Sequence, residues 1–184
     1  MREHHRTTRE AEELDYVEDE ELANYLDELA PQIGWVIIFF NSLEDTVAYC
    51  LRELMLRDPY QDERLDVFLT EMLFSAKSRA LIHLYGQAIA DCGLKTTQQD
   101  LTTIENLLVE CAKRRNEYAH ADWIDLKQGQ IVRVKSKSQK RGIVHRYKRF
   151  SPEDVEDDVR FIDRARDTLY EFHERFSDQL YGRA

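Results

Sequence analysis

Apolar residues recur at helical spacing along most of this chain, and the places where that period fails divide it into elements. Glu12 to Glu28 sets Leu14, Val17, Leu22, Tyr25 and Leu26 on one face, with Leu29 just beyond, and carries nine carboxylates and no basic residue. This predicts an acidic helix that docks through its apolar side. Pro31 is expected to end or kink it, because proline lacks the N–H and its ring crowds the carbonyl four residues back. A long amphipathic helix follows from Gln32 to Arg57 through Val36, Phe40, Leu43, Val47, Cys50 and Leu54, and the Asp58-Pro59 step stops it. A third helix is predicted from Asp62 to Asp91, with Leu69, Leu73, Leu81, Leu84 and Ala88 on one side and Gly93 as its C-terminal cap. The fourth runs from Thr97 to His120 on Ile104, Leu108 and Cys111.

The period then shortens to two. Gln130–Ser136 and Gly142–Phe150 alternate apolar and polar residues around a turn at Gln139–Gly142, which predicts a hairpin. Ser151-Pro152-Glu153-Asp154 supplies an N-cap serine, a proline at the first helical position and acids in the first turn. The fifth helix extends to about Leu180 through Val155, Val159, Ile162, Leu169, Phe172 and Phe176. Residues 1–10 are polar and expected to be disordered. The predicted fold class is therefore all-α: a single domain over 11–184, a bundle of about five helices with a short basic β-hairpin, 127–150, inserted before the last long helix.

Length and composition agree with one helical domain. The chain has 184 residues, enough for a proper core, and only six glycines and three prolines. Its three cysteines, Cys50, Cys92 and Cys111, lack CxxC spacing and read as free thiols in a reducing compartment rather than a disulfide frame or zinc site. The longest apolar run, Ile33–Phe40, is too short to span a bilayer, and the N-terminus has no signal-peptide core, so a cytoplasmic protein with no membrane partner is expected. No Gly-rich phosphate loop, GxSxG, HExxH or spaced carboxylate–histidine set is present, so no cofactor or metal is expected. His4 and His5 read as chance members of a frayed terminus. His83 and His173 read as core or boundary histidines, and His145 as an outward-facing residue of the hairpin.

Charge changes this picture locally. The net charge is −10, which excludes nucleic-acid binding by bulk attraction. Yet nine of the 26 basic residues fall between Lys127 and Arg149 with no acid among them: Lys127, Arg133, Lys135, Lys137, Lys140, Arg141, Arg146, Lys148 and Arg149. A patch this dense attracts phosphates within a Debye length of about 8 Å, and Tyr147 and Phe150 offer stacking surfaces for bases. Two structural explanations stand beside this one. Lysines guard sheet edges against aggregation, and the hairpin can dock on the acidic first helix.

The patch directly follows Arg115-Asn116-Glu117-Tyr118-Ala119-His120. The apolar steps through Ile104, Leu108 and Cys111 continue to Arg115 and then Tyr118. At about 100° per residue, Arg115 falls within roughly 20° of Leu108 on the helical wheel. A cation in an apolar seam needs a carboxylate, a second subunit or an anionic ligand. Glu44, on the seam of the second helix, is the best candidate carboxylate, and Lys77 holds a matching seam position on the third. Either can also snorkel to solvent.

The motif contains the parts for metal-free RNA cleavage. His120 can take the proton of a ribose 2′-hydroxyl, Arg115 can stabilise the phosphorane, and Asn116, four residues from His120, can orient the imidazole or a phosphate oxygen. Arg115 and His120 are about 140° apart on a continuous helix. Either the helix breaks near Ala119, or two copies of the segment meet across a dimer axis.

Arg115-Asn116, three residues and His120 resemble the HEPN superfamily, helical bundles marked by Arg, four to six residues and His, often with a polar residue after the arginine. Arg114 meets the looser spacing but lies 100° off the seam and lacks the asparagine directly after it. The resemblance covers about Gln32 to Leu180. It implies a homodimer with a composite site at Arg115, Asn116 and His120, supported by Glu44, Lys77 and Tyr118, and an RNA substrate held by Arg114 and the hairpin cations. It implies metal-independent cleavage to a 2′,3′-cyclic phosphate and a 5′-hydroxyl. It also implies a toxin–antitoxin, abortive-infection or antiviral-defence role, with an antitoxin or defence-complex protein as a partner. One subgroup carries a tyrosine two residues after the histidine as a modification target, where this chain has Asp122. Some members of the superfamily are not catalytic, which leaves a helical module binding RNA, a nucleotide or a protein as the alternative.

Overall fold

A computed structural model describes residues 3–140 and 142–182. The elements in order are β1 (Glu3–Thr7), α1 (Thr8–Glu12), α2 (Asp19–Met55), a 3-10 turn (Glu63–Leu65), α3 (Asp66–Glu71), α4 (Phe74–Cys92), α5 (Gln98–His120), β2 (Asp122–Lys127), β3 (Ile131–Gln139), β4 (Gly142–Arg149) and α6 (Pro152–Leu180). They form two compact units, Met1–Ile38 with Lys113–Arg160, and Phe39–Ala112 with Phe161–Ala184.

The first unit corrects the expected fold class. The chain is mixed α/β, not all-α, because the hairpin is the middle of a four-stranded antiparallel sheet ordered β1-β4-β3-β2. The hairpin β3–β4 lies where the alternation places it, with Gln139 paired to Gly142. A two-stranded ribbon leaves both edges with unpaired N–H and C=O groups and is marginally stable alone. Here β2 covers one edge, and β1, within the stretch expected to be disordered, covers the other. Thr7 then caps α1 through a reciprocal capping box with Glu10.

Antiparallel pairing puts directly opposed residues on the same face, so the register sorts the side chains. His4–Tyr147–Arg133 and Arg6–His145–Ser136 are rows on one face; His5–Arg146–Lys135 and Thr7–Val144–Lys137 are rows on the other. A register shift between Arg133 and Lys135 makes this possible, since strict alternation would keep those two cations on one side. On the Tyr147 face, Ala11, Ile131 and Tyr147 pack together with Leu14. Asp15 and Val17 bond the backbone of Gln128 and Leu126, and the Lys127 ammonium sits 3.0 Å from the centre of the Tyr16 ring. Tyr118, Trp123 and Phe150 form an aromatic cluster, with the Phe150 ring centre 5.0 Å from Tyr118 and 5.2 Å from Trp123.

The second unit is helical, with Phe40, Leu43, Val47, Leu51, Leu81, Tyr85, Leu108, Leu169 and Phe176 all buried. Three helix predictions change across the chain. The acidic helix expected from Glu12 begins only at Asp19, because residues 13–18 leave the helix and Asp15 and Val17 bond the backbone at Gln128 and Leu126. Pro31 lies inside one continuous α2 instead of ending a helix; the buried positions Tyr25, Leu29, Val36, Phe40 and Leu43 keep helical spacing straight across it, so packing holds the backbone helical despite the lost bond. The predicted third helix is interrupted at Met72 and Leu73, both extended. A four-residue step repeated from Leu69 drifts about 40° each time. The break turns Leu73 out, at 77 % exposed, and restarts the buried stripe at Phe74, Lys77, Leu81 and Tyr85. Gly93 ends α4 in the left-handed conformation expected of the cap, at φ 61°.

Candidate RNA-binding groove

Helix α5 runs unbroken to its last residue, His120. The break expected near Ala119 does not occur. Lys113, Asn116, Glu117 and His120 follow helical steps of three and four and share one face of α5. Opposite that face lie the sheet rows that carry His5, Arg146, Lys135 and Lys137. Together these residues, with Val134, Gln139 and Val144, line a groove of about 740 Å³ in the first unit.

Arg115 is not among the residues lining it. It is half-buried at the edge of the stripe Leu108, Cys111 and Tyr118, and its Nη1 donates to Asn116 Oδ1 at 3.1 Å. That bond occupies the amide oxygen of Asn116 and leaves its NH2 group for the groove. Asn116 and His120 are both exposed.

Several expected roles are reassigned. Glu44 accepts a hydrogen bond from Lys77 Nζ at 2.6 Å, so these two seam residues satisfy each other. Arg114 Nη1 donates to Asp158 Oδ1 at 2.6 Å, and the buried Tyr118 hydroxyl donates to Asp158 Oδ2 at 2.7 Å. Burial and the neighbouring Asp158 carboxylate raise the Tyr118 phenol far above its ordinary value, keeping it a donor. Arg114 and Tyr118 thus hold the end of α5 to the start of α6.

The hairpin cations divide into two groups. Lys127 and Lys148 are buried, at 4 % and 5 % exposed. Lys127 pairs with Asp125 at 3.1 Å, and Arg133 pairs with Asp122. Lys148 Nζ and Arg146 Nη2 donate to the two oxygens of Glu117, at 2.5 and 2.7 Å. Burial pushes the Glu117 carboxyl up, but hydrogen bonds from Lys148 and Arg146 outweigh it, and the net shift is downward. Lys135, Lys137 and Lys140 are exposed, as is Arg149, which donates to Gln130 at 2.8 Å. Arg141 lies outside the described residues. Tyr147 and Phe150 are buried, so neither serves as a stacking surface. His145 is buried rather than outward-facing, with Nδ1 2.8 Å from Ser136 Oγ and Nε2 3.2 Å from Thr8 Oγ1.

Sequence reasoning missed three charged or titratable groove residues, Lys113, Glu117 and His5. Glu117 sits inside the motif, three residues from His120 and one from Asn116; helix phase puts it on the same face as Lys113 and Asn116, and pairing with Arg146 and Lys148 of β4 buries it. His5 enters through β1, whose polar residues give no local strand signal. No three His, Cys, Asp or Glu side chains are grouped to hold a metal ion among the described residues. No described helix is long and apolar enough to cross a membrane.

The groove joins an exposed imidazole, a carboxamide and several lysines, groups chemically able to donate hydrogen bonds and positive charge to an anionic ligand. Comparison with protein-family models gave no match, and none was found among curated proteins or solved structures.

Proposed function

We propose that this chain is a cytoplasmic, metal-independent endoribonuclease that acts as a homodimer and leaves a 2′,3′-cyclic phosphate and a 5′-hydroxyl, in the service of toxin–antitoxin or antiviral defence. The observation that carries the reading is the groove itself. It sets His120 and Asn116 in one groove with Lys113 and with the exposed Lys135 and Lys137, while the groove carboxylate Glu117 is taken by Lys148 and Arg146. The Arg115–His120 spacing that resembles the HEPN motif supports the same chemistry.

In this reading His120 removes the 2′-hydroxyl proton and the 2′-oxygen attacks phosphorus. The Asn116 amide donates to a non-bridging oxygen, and the groove lysines offset the charge that accumulates on the phosphorane. Arg115 holds the Asn116 carbonyl and adds a permanent positive charge one residue from the groove. A second copy of the chain supplies the facing motif.

The test is cleavage of RNA by the purified protein in excess EDTA. The expected result is cleavage in which His120→Ala removes activity and Arg115→Ala lowers it, both at unchanged thermal stability. A strict magnesium requirement, or a His120→Ala protein as active as the parent, would overturn the proposal. The exposed row Lys135, Lys137 and Lys140 also favours a second reading, an RNA-binding module without catalysis. Salt-dependent binding with no cleavage products is its signature.

A further inference from the structure

The groove contains two histidines, not one. His5 and His120 come from opposite walls, the edge strand β1 and the end of α5. The register places His5 directly beside Arg146, which in turn lies beside Lys135, so the three side chains cross the sheet as one row facing α5. Neighbouring strands are about 4.8 Å apart, which sets His5 and Lys135 on either side of the Arg146 guanidinium. That guanidinium is anchored to Glu117 on α5 at 2.7 Å and to Glu3 on β1 at 3.4 Å, fixing the wall that carries His5. His5 is itself exposed in the groove. His4, one residue away, pairs with Tyr147 and faces the opposite side of the sheet.

We infer that His5 is the general acid of the site, paired with His120 as the general base. The inference rests on the ribonuclease reading and adds to it a residue from the chain's first strand. Transesterification needs two proton transfers. The proton of the 2′-hydroxyl passes to His120 as the O2′–P bond forms. The P–O5′ bond then breaks, and protonated His5 gives its proton to the departing O5′. One proton leaves the RNA and one returns to it, so the products are the 2′,3′-cyclic phosphate and the 5′-hydroxyl with no metal or co-reactant. Solvent exchange returns the two imidazoles to their starting states. The charged groups facing the pair are Lys113 and Glu117 from α5, Lys135 and Lys137 from β3, Arg146 from β4 and Glu3 from β1.

The experiment compares a short RNA with an ordinary scissile phosphate and the same RNA with sulfur replacing the 5′-bridging oxygen. A thiolate leaves without needing a proton. His5→Gln is expected to slow cleavage of the oxygen substrate by roughly 100-fold or more, the usual worth of a positioned general acid. It is expected to cleave the sulfur substrate at close to the parent rate. His120→Ala stays slow on both, and His4→Gln matches the parent on both. The alkaline limb of a bell-shaped pH–rate profile disappears in His5→Gln, while the acid limb remains. If His5→Gln cleaves the oxygen substrate normally, or is equally slow on both substrates, His5 is not the acid, even though an active parent and an inactive His120→Ala would leave the ribonuclease reading intact. A parent protein that cuts neither substrate overturns both proposals.

Discussion

His173 is 1 % exposed, and burial pushes its imidazole down to about 4. The Tyr85 hydroxyl lies 2.8 Å from Nδ1 and is itself raised by burial. An unfolded histidine titrates near 6.5, so between about 4 and 6.5 the unfolded chain binds the extra proton and the folded chain does not. Stability must then rise with pH across that window: the contribution is complete above about 6.5 and is lost as pH falls toward 4, by up to about 3 kcal/mol. Urea unfolding at a series of pH values is expected to show this slope, and His173→Gln to flatten it. An equal slope in the variant would show that another group carries it. The same residue scale separates neighbours in sequence. Arg114 spends its charge on Asp158, whereas Arg115 supports Asn116, and only the position of α6 makes that distinction.

Pro31 shows how an element overrides a local preference. Proline in a helix interior removes one backbone bond and crowds the preceding turn, at about 3 kcal/mol, yet α2 runs from Asp19 to Met55 through it. Pro31→Ala restores the N–H and is expected to raise stability by about 1–3 kcal/mol, read as a higher denaturation midpoint at unchanged helical content. A fall in stability would mean that the proline's fixed φ, not the surrounding packing, holds the backbone there. The hairpin was legible because alternation over Gly142–Phe150 and the β3 residues is a local signal. The shift between Arg133 and Lys135 was not, since it follows from pairing with β4. That single irregularity turns Lys135 and Lys137 toward the groove and leaves Arg133 with Asp122 on the other face. Strand β1 was illegible for a related reason. Its residues, Glu-His-His-Arg-Thr, have no apolar alternation, and its hydrogen bonds go to a strand about 140 residues later.

For the whole molecule, the acidic net charge and the basic hairpin are reconciled by internal pairing. Asp122, Asp125 and Glu117 neutralise Arg133, Lys127, Lys148 and Arg146, so the charge offered to a ligand is smaller than the composition suggests. Lys135, Lys137 and Lys140 carry most of what remains among the described hairpin residues. Changing these three to alanine is expected to reduce the slope of log binding constant against log salt by about 2 for single-stranded RNA. Changing Arg133 is expected to leave that slope alone. The opposite pattern, measured by fluorescence anisotropy, would place the RNA on the other face of the sheet.

The sequence by itself determined the helical course of most of the chain though not every helix boundary, the hairpin, and the phase that gathers Lys113, Asn116 and His120 on one side of α5, because each follows from a period of a few residues. It did not determine the mixed fold class, the pairing of Glu44 with Lys77, or the arrival of His5 opposite His120. Those were decided by tertiary structure. Unsatisfied strand edges and buried charges must find partners wherever the chain brings them, and local periodicity carries no record of where that will be.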